Sequence, residues 1–479
     1  MRVRSALAVL GTVAVAATAA CSGAQGGTAS GQATGTRPAT VTGATSVLPS
    51  GGPGGPSLTW ALPKFAVGRQ LGWLLSAAPH APLPTAEIEQ HFDRTFLAAA
   101  PPAEVNQALE KYPGAWRLVS LDAGTAPTAL VAGIVAGTAD FGVTITTDSG
   151  GLIGGTVLTP APSLPAGPAS WQALDAAARG LTPDVSFEAA SLGAGGSCEP
   201  LNTVSPAAPR PLGSMFKLYV LGAVADAVAA GRLSWQQSVA LSADLRSFPS
   251  GSLQVEPAGT RYTVSQLADL MISSSDNTAA DELAALVGRS AIEAQARLTS
   301  AHASLNVPFL RTRELFQLKY DDYPSYADAY LALAPAARLA YLQTVIDRRP
   351  LSGISATTAA LASPRDVDAI EWSASPSDLC AQFARLYQGA GQASLGPVSA
   401  ALSFNDAGIG LNRSAWPLVW FKGGSETGVL TLGYLARSAT GRVDVVVLEL
   451  SDPRHAIPSS AALSALSLVH AAFGLAAAG

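Results

Sequence analysis

A serine and a lysine three residues apart, Ser214 and Lys217, open an apolar, Ala-rich segment that begins Pro211-Leu-Gly-Ser-Met-Phe-Lys-Leu-Tyr219. On a helix this spacing puts both side chains on one face, about one turn apart. A hydroxyl is a poor nucleophile until a neighbour takes its proton. A lysine can take it where burial and nearby positive charge hold the amine partly neutral. The pair alone recurs by chance in long chains, so its weight comes from two later motifs. Ser275-Asp276-Asn277 stands 61 residues after Ser214. Lys422-Gly423-Gly424 stands 147 residues after Ser275, directly behind the strand-like apolar run 418–421.

S-x-x-K, then S-D-N, then a lysine and glycines on a strand is the ordered motif set of the serine β-lactamase and penicillin-binding protein superfamily, and the chain resembles class A most closely. The resemblance covers roughly 185–479 and implies an acyl-enzyme mechanism. Ser214 would attack a carbonyl, and Lys217 would act as general base. Ser275 would relay a proton to the leaving group, with Lys422 beside it. Asn277, Gly424, Ser425 and Thr427 would bind substrate, and the N–H groups of Ser214 and Ser425 would hold the oxyanion. Asp276 would have a structural role. No cofactor is implied.

Three departures bear on substrate. At the position of the class A E-x-x-L-N glutamate, whose carboxylate activates the deacylating water, stands Arg311, in Arg311-Thr-Arg-Glu-Leu-Phe316. Glu314 is the nearby carboxylate that could replace it. Gly423 stands where the family has a threonine or serine that binds the substrate carboxylate. Losing a hydrogen bond to a charged group costs about 1.5–3 kcal/mol. Between Phe316 and Ser375 lies an insertion that reads as helical over 326–346 and would cover one wall of the site. The chain is thus similar to the two-domain β-lactamase-like lipoproteins of actinobacteria and to the β-lactamase-like proteins of clavulanic acid biosynthesis, a resemblance that implies weak esterase and little or no β-lactamase activity. The expectation is an exported serine hydrolase acting on an ester or amide, with a small-molecule or peptidoglycan-like substrate. The alternatives are a D-alanyl-D-alanine peptidase or penicillin-binding protein, and a non-catalytic envelope lipoprotein that binds a ligand.

The elements that must position these residues are partly legible. The stretches 185–191 and Cys198–Val204 read as a hairpin, and 443–450 as a buried strand. Thr263-Val-Ser-Gln begins with a capping signal and would deliver Ser275 at the far end of its helix. The apolar segment 459–479 is long enough to span a membrane, but its small polar residues suit a terminal helix packed on the sheet. The fold class expected for 170–479 is α+β: an antiparallel sheet with flanking helices and a helical subdomain.

Ahead of it, 59–165 reads as a separate small domain. Thr85 can cap a helix bearing Ile88, Phe92 and Phe96, and a second helix follows Pro101-Pro102. Strand-like segments then run over Trp116–Leu121, 129–135, 141–147 and 152–158. Helices followed by a meander are similar to the NTF2 or steroid-isomerase-like fold. Such a unit either holds a small apolar ligand or positions the hydrolase; fold alone does not decide.

Arg2 and Arg4 precede an apolar stretch that ends Thr18-Ala-Ala-Cys21, which resembles a bacterial lipoprotein signal over 1–21 with Cys21 lipidated. Residues 22–58, rich in Gly, Ser, Thr, Ala and Pro, read as a flexible tether. The protein is therefore expected at the extracytoplasmic face of the cell membrane. The chain is 48% hydrophobic and 13% charged with net charge −5, which suits a large core and excludes a basic nucleic-acid surface. Cys198 and Cys380 match no metal spacing; an exported protein's compartment permits a disulfide between them, but sequence cannot place the two near each other, and two buried free thiols are the plain reading. The five histidines are scattered and support no metal site.

Overall fold

The computed structural model describes residues 57–121, 128–137, 139–160, 163–354 and 361–478. The expected leader, Cys21 and the tether up to residue 56 lie outside them. Leu58, assigned to the tether, is fully buried and its N–H donates to Leu118 O at 3.3 Å. The N-terminal folded unit therefore begins before residue 59.

That unit has four helices, α1 (Ala66–Ala77), α2 (Thr85–His91), α3 (Arg94–Ala99) and α4 (Pro102–Glu110), then a four-stranded antiparallel meander: β1 (Trp116–Leu121), β2 (Ala129–Ala136), β3 (Ala139–Thr147) and β4 (Ile153–Pro160). Phe141, Val143 and Ile145 alternate inward with Leu130, Ala132 and Ile134. The single helix expected through Ile88, Phe92 and Phe96 is two helices. Phe92 is extended, and the Asp93 carboxylate accepts from Phe96 N at 2.6 Å, so a second N-cap wins over continued helix. Thr85 is the first residue of α2 and caps nothing.

The second unit begins with α5 (Trp171–Arg179) and is built on five antiparallel strands in the order β11-β12-β13-β5-β6. Their ranges are β5 (Asp184–Leu192), β6 (Cys198–Val204), β11 (Leu418–Glu426), β12 (Val429–Arg437) and β13 (Val443–Ser451). The expected hairpin and buried strand are present. The terminal helix α15 (Ser459–Ala478) lies with α5 on one face, where Val469, Ala472 and Phe473 join Phe187, Tyr434 and Val446 in a core without exposure. Its apolar length therefore serves packing.

The other face carries α6 (Lys217–Ala229), α13 (Pro376–Ala390) and α14 (Gly396–Ser403), giving a helix–sheet–helix sandwich. A helical subdomain adds α7 (Val264–Ser273), α8 (Asn277–Val287), α9 (Arg289–Thr299) and α10 (Thr312–Tyr320). The insertion supplies α11 (Ser325–Leu331) and α12 (Pro335–Thr344), as its composition predicts. Two small pairs complete the strands: β7 (Arg210–Pro211) with β10 (Ser373–Ala374), and β8 (Ser238–Ala240) with β9 (Arg261–Thr263).

The free-thiol reading is corrected. Cys198 and Cys380 form a disulfide across 182 residues, joining edge strand β6 to α13. The two meet only because α13 packs along β5 and β6, a tertiary contact that sequence spacing does not encode.

Candidate active site

Ser214 lies in a single 3-10 turn, Gly213–Phe216, that runs into α6. Three contacts fix this turn. Phe216 stacks on Trp372 with ring centroids 3.7 Å apart, Leu212 N donates to Trp372 O at 2.8 Å, and Thr431 Oγ1 donates to Leu212 O at 2.8 Å. The helix that follows is buried on nearly every side, so Lys217 in its first turn is fully enclosed.

The helix α7 starts with a complete capping box, Thr263 with Gln266, and ends at Ser273. The chain then turns through Ser275, whose φ of 56° is left-handed and costs a non-glycine residue about 1–3 kcal/mol. Asp276 offsets that strain. Its buried carboxylate accepts from Ser252 N, Leu253 N and Ala279 N and caps α8. Asp276 thus holds the turn, the structural role expected of it.

The nitrogen of Lys217 is 3.1 Å from Ser214 Oγ, 3.1 Å from Ser275 Oγ, 2.5 Å from Ser275 O and 2.7 Å from Asn277 Oδ1. The carbonyl and the amide oxygen can only accept, so they take two N–H bonds. A neutral amine then keeps its lone pair for a hydroxyl proton. Burial pulls the Lys217 amine down to about 7, against the opposing attraction of Asp276 and Asp281. Lys422, from β11, reaches Ser275 Oγ at 3.0 Å and Gly423 O at 2.6 Å. Burial first, and then Lys217, push its amine well below the ordinary lysine value. Asn277 also donates to Phe248 O at 2.9 Å, which fixes its amide orientation.

Strand β11 lies hard against the nucleophile turn. A Cβ on Gly424 would fall 2.0 Å from Leu212 O and 2.6 Å from Ser214 N. A Cβ on Gly213, whose φ is +50°, would fall 2.8 Å from Ser425 N. Both glycines are therefore required for the Ser214 and Ser425 amides to come together, as an oxyanion pair needs.

Structure and expectation part at two side chains. Thr427 Oγ1 donates to Leu361 O at 2.8 Å and so is tied to the segment after the insertion instead of being free for substrate. Glu314, considered as a replacement base, is fully buried; its oxygens accept from Arg289, from the Arg311 guanidinium and from Arg311 N at 2.6 Å. Arg289 comes from α9, 25 residues earlier, a partner the local sequence does not reveal. Glu314 caps α10 and is not offered to a water.

The residues missed from the sequence are those that brace the site. Trp372 backs the nucleophile turn. Lys319, fully buried, ties Glu426 at the end of β11 to Glu371 beside Trp372. None belongs to a local motif.

A profile of the β-lactamase enzyme family matches residues 199–393, and one described as ORF 12 gene product N-terminal matches 62–153. No curated protein matches the chain. The solved structures it is similar to include a β-lactamase from Sphaerobacter thermophilus, at 21% identity and TM-score 0.43, covering 64% of this chain and 95% of that one. A variant of PBP-A in an acyl-enzyme complex with penicillin G is 17% identical at TM-score 0.41, covering 63% and 96%. A β-lactamase from Chitinophaga pinensis is 18% identical at TM-score 0.43, covering 64% and 98%. The stretch that matches the β-lactamase enzyme family, residues 199–393, holds Ser214, Lys217 and the Ser275-Asp276-Asn277 turn in the geometry just described, and that stretch is what the chain shares with the family.

Proposed function

We propose that this chain is an exported serine hydrolase that forms an acyl-enzyme on Ser214 with a simple ester or amide and has weak or no β-lactamase activity. The observation that carries the reading is the buried Lys217 nitrogen 3.1 Å from Ser214 Oγ, with Ser275 and Lys422 in one hydrogen-bonded chain. Ser214 Oγ forms a bond to the carbonyl carbon as its proton passes to Lys217. The resulting oxyanion lies toward the N–H groups of Ser214 and Ser425. As the carbon–leaving-group bond breaks, the proton passes from Lys217 through Ser275 to the leaving atom, and Lys217 is neutral again. Water then hydrolyses the ester on Ser214. No carboxylate is hydrogen-bonded to Ser214, Lys217, Ser275 or Lys422 among the described residues, which supports slow deacylation.

Slow deacylation also favours the second reading, a penicillin-binding protein or D-alanyl-D-alanine peptidase. The test is to incubate the protein and Ser214→Ala with p-nitrophenyl acetate and with a fluorescent penicillin. Ester turnover without a stable penicillin adduct supports the first reading, and a persistent adduct supports the second. No reaction beyond that of Ser214→Ala overturns both and leaves the non-catalytic lipoprotein. The lipid anchor on Cys21 and the NTF2-like assignment of the N-terminal unit belong to the same proposal. A protein so anchored would label with radioactive palmitate, and Cys21→Ser would not.

A further inference from the structure

Three side chains of metal-ligating type meet where α13 packs on the sheet edge. They are Glu188 on β5, Cys198 on β6 and Cys380 on α13. A Glu188 carboxylate oxygen and the two sulfurs all lie within 4.8 Å of one another. In the oxidised chain the sulfurs are bonded to each other and carry no charge. Glu188 is buried, and the Ser377 hydroxyl donates to it from one turn before Cys380 on α13. No lysine or arginine pairs with Glu188 among the described residues; the charge that acts on it, Asp378, is a like one. Burial first, and then Asp378, push its carboxyl above the ordinary value, against the Ser377 hydrogen bond.

A buried carboxylate with no cation beside it is costly unless it holds a proton or meets a metal ion. Once the disulfide is opened, the same three side chains supply two thiolates and a carboxylate. Two sulfurs and one oxygen are ligands that Zn2+ accepts, with a fourth position left to water. Ca2+ and Mg2+ take oxygen ligands and suit the sulfurs poorly. Around a tetrahedral zinc ion the sulfurs would stand about 3.8 Å apart, and each about 3.6 Å from the carboxylate oxygen. Side-chain rotation supplies shifts of that size. Cys198 is part-exposed on edge strand β6, which gives an ion an approach from solvent.

We propose that the reduced form of this chain binds one Zn2+, with Glu188, Cys198 and Cys380 as its ligands at the seam of β5, β6 and α13. The ion there replaces the covalent clip between β6 and α13 by a coordinate one. The opening step is a two-electron reduction. With a phosphine as reductant, phosphorus takes the oxygen of one water and becomes the phosphine oxide, and the two water protons go to the sulfurs. Zn2+ then displaces the thiol protons and any proton on Glu188, so binding weakens as pH falls.

The test uses the full chain with Cys21→Ser, so that Cys198 and Cys380 are the only cysteines left of three. The protein is reduced with the phosphine, freed of it without oxygen and titrated with Co2+, which reports thiolate ligation by charge-transfer absorption and is displaced by Zn2+. One Co2+ per chain with that absorption is expected in the reduced protein and none in the oxidised protein. Zn2+ should also shield both thiols from iodoacetamide. Glu188→Gln, nearly isosteric, should weaken Zn2+ binding at least about tenfold, the loss that even a residue supporting a ligand brings. No thiolate charge transfer in the reduced wild type overturns the proposal. Equal Zn2+ affinity in wild type and Glu188→Gln overturns the three-ligand site, and is also what two cysteines of an unfolded chain would give. Where Glu188→Gln does not fold, the reduced wild type decides: Zn2+ should raise its urea midpoint, and an unmoved or lowered midpoint overturns the site.

Discussion

Replacing Asn277 by Asp puts a carboxylate where a neutral amide oxygen now accepts from Lys217 at 2.7 Å. The two side chains have nearly the same shape; the change adds a charge and removes the N–H that Asn277 donates to Phe248 O at 2.9 Å. In the native site burial holds the Lys217 amine at about 7. The neutral, proton-accepting fraction then rises from about a tenth at pH 6 to about nine tenths at pH 8, so acylation of Ser214 should climb about tenfold and level off. An opposite charge within hydrogen-bonding distance raises a lysine pKa by about 1–3 units. Asn277→Asp should therefore move the midpoint of the profile upward by that amount, and at pH 7 the acylation rate should fall about five- to five-hundredfold. At a pH above the new midpoint the rate should largely recover, which a structural loss would not allow. The assay is the second-order acylation rate with p-nitrophenyl acetate from pH 5.5 to 9.5, with the Ser214→Ala rate subtracted. Because Lys422 adjoins the same hydroxyl, the observed midpoint belongs to the amine pair. A wild-type profile that is flat or falls with pH, or a midpoint unmoved by Asn277→Asp, would refute Lys217 as the base.

Three other perturbations have defined outcomes. Gly424→Ala should cost at least about a hundredfold in acylation rate with the circular dichroism spectrum kept, because its Cβ would fall 2.0 Å from Leu212 O and force β11 off the nucleophile turn. Glu314→Gln should leave the acylation and deacylation rates within about threefold but lower unfolding free energy by about 3 kcal/mol, since it takes the carboxylate from the Arg289 guanidinium, about a fifth exposed, while Arg311 keeps Asp347; a collapse of deacylation alone would restore Glu314 as a base. Reducing the Cys198–Cys380 bond, or the Cys198→Ser/Cys380→Ser pair, should destabilise the second unit by up to about 5 kcal/mol in urea, the chain-entropy value for so long a loop.

The reactive residues were legible because each sits on a local device with a sequence signature. The Ser214–Lys217 spacing is one helical turn, Thr263 with Gln266 is a capping box, and Asp276 precedes a helix that needs a cap. The alternation in Phe141, Val143 and Ile145 was legible for the same reason. What stayed hidden depends on segments far apart in the chain. The disulfide partners are 182 residues apart, and Trp372 meets Phe216 across 156 positions. The role of Glu314 was hidden because its second guanidinium comes from another helix. The break at Asp93 was hidden because an apolar spacing of four fits both a continuous helix and two helices joined at a cap. Gly423 was legible as a departure, but only the ring of Phe421 shows why a side chain is excluded there.

Every step proposed for the site requires Ser214 to become covalently acylated. Intact-protein mass spectrometry after brief exposure to p-nitrophenyl acetate at pH 8, followed by peptide mapping, tests this most directly. One acetyl group per chain on the peptide holding Ser214, absent from Ser214→Ala and suppressed in Lys217→Ala, is the predicted result. An unlabelled Ser214, or equal labelling of the Ser214→Ala protein, would contradict it.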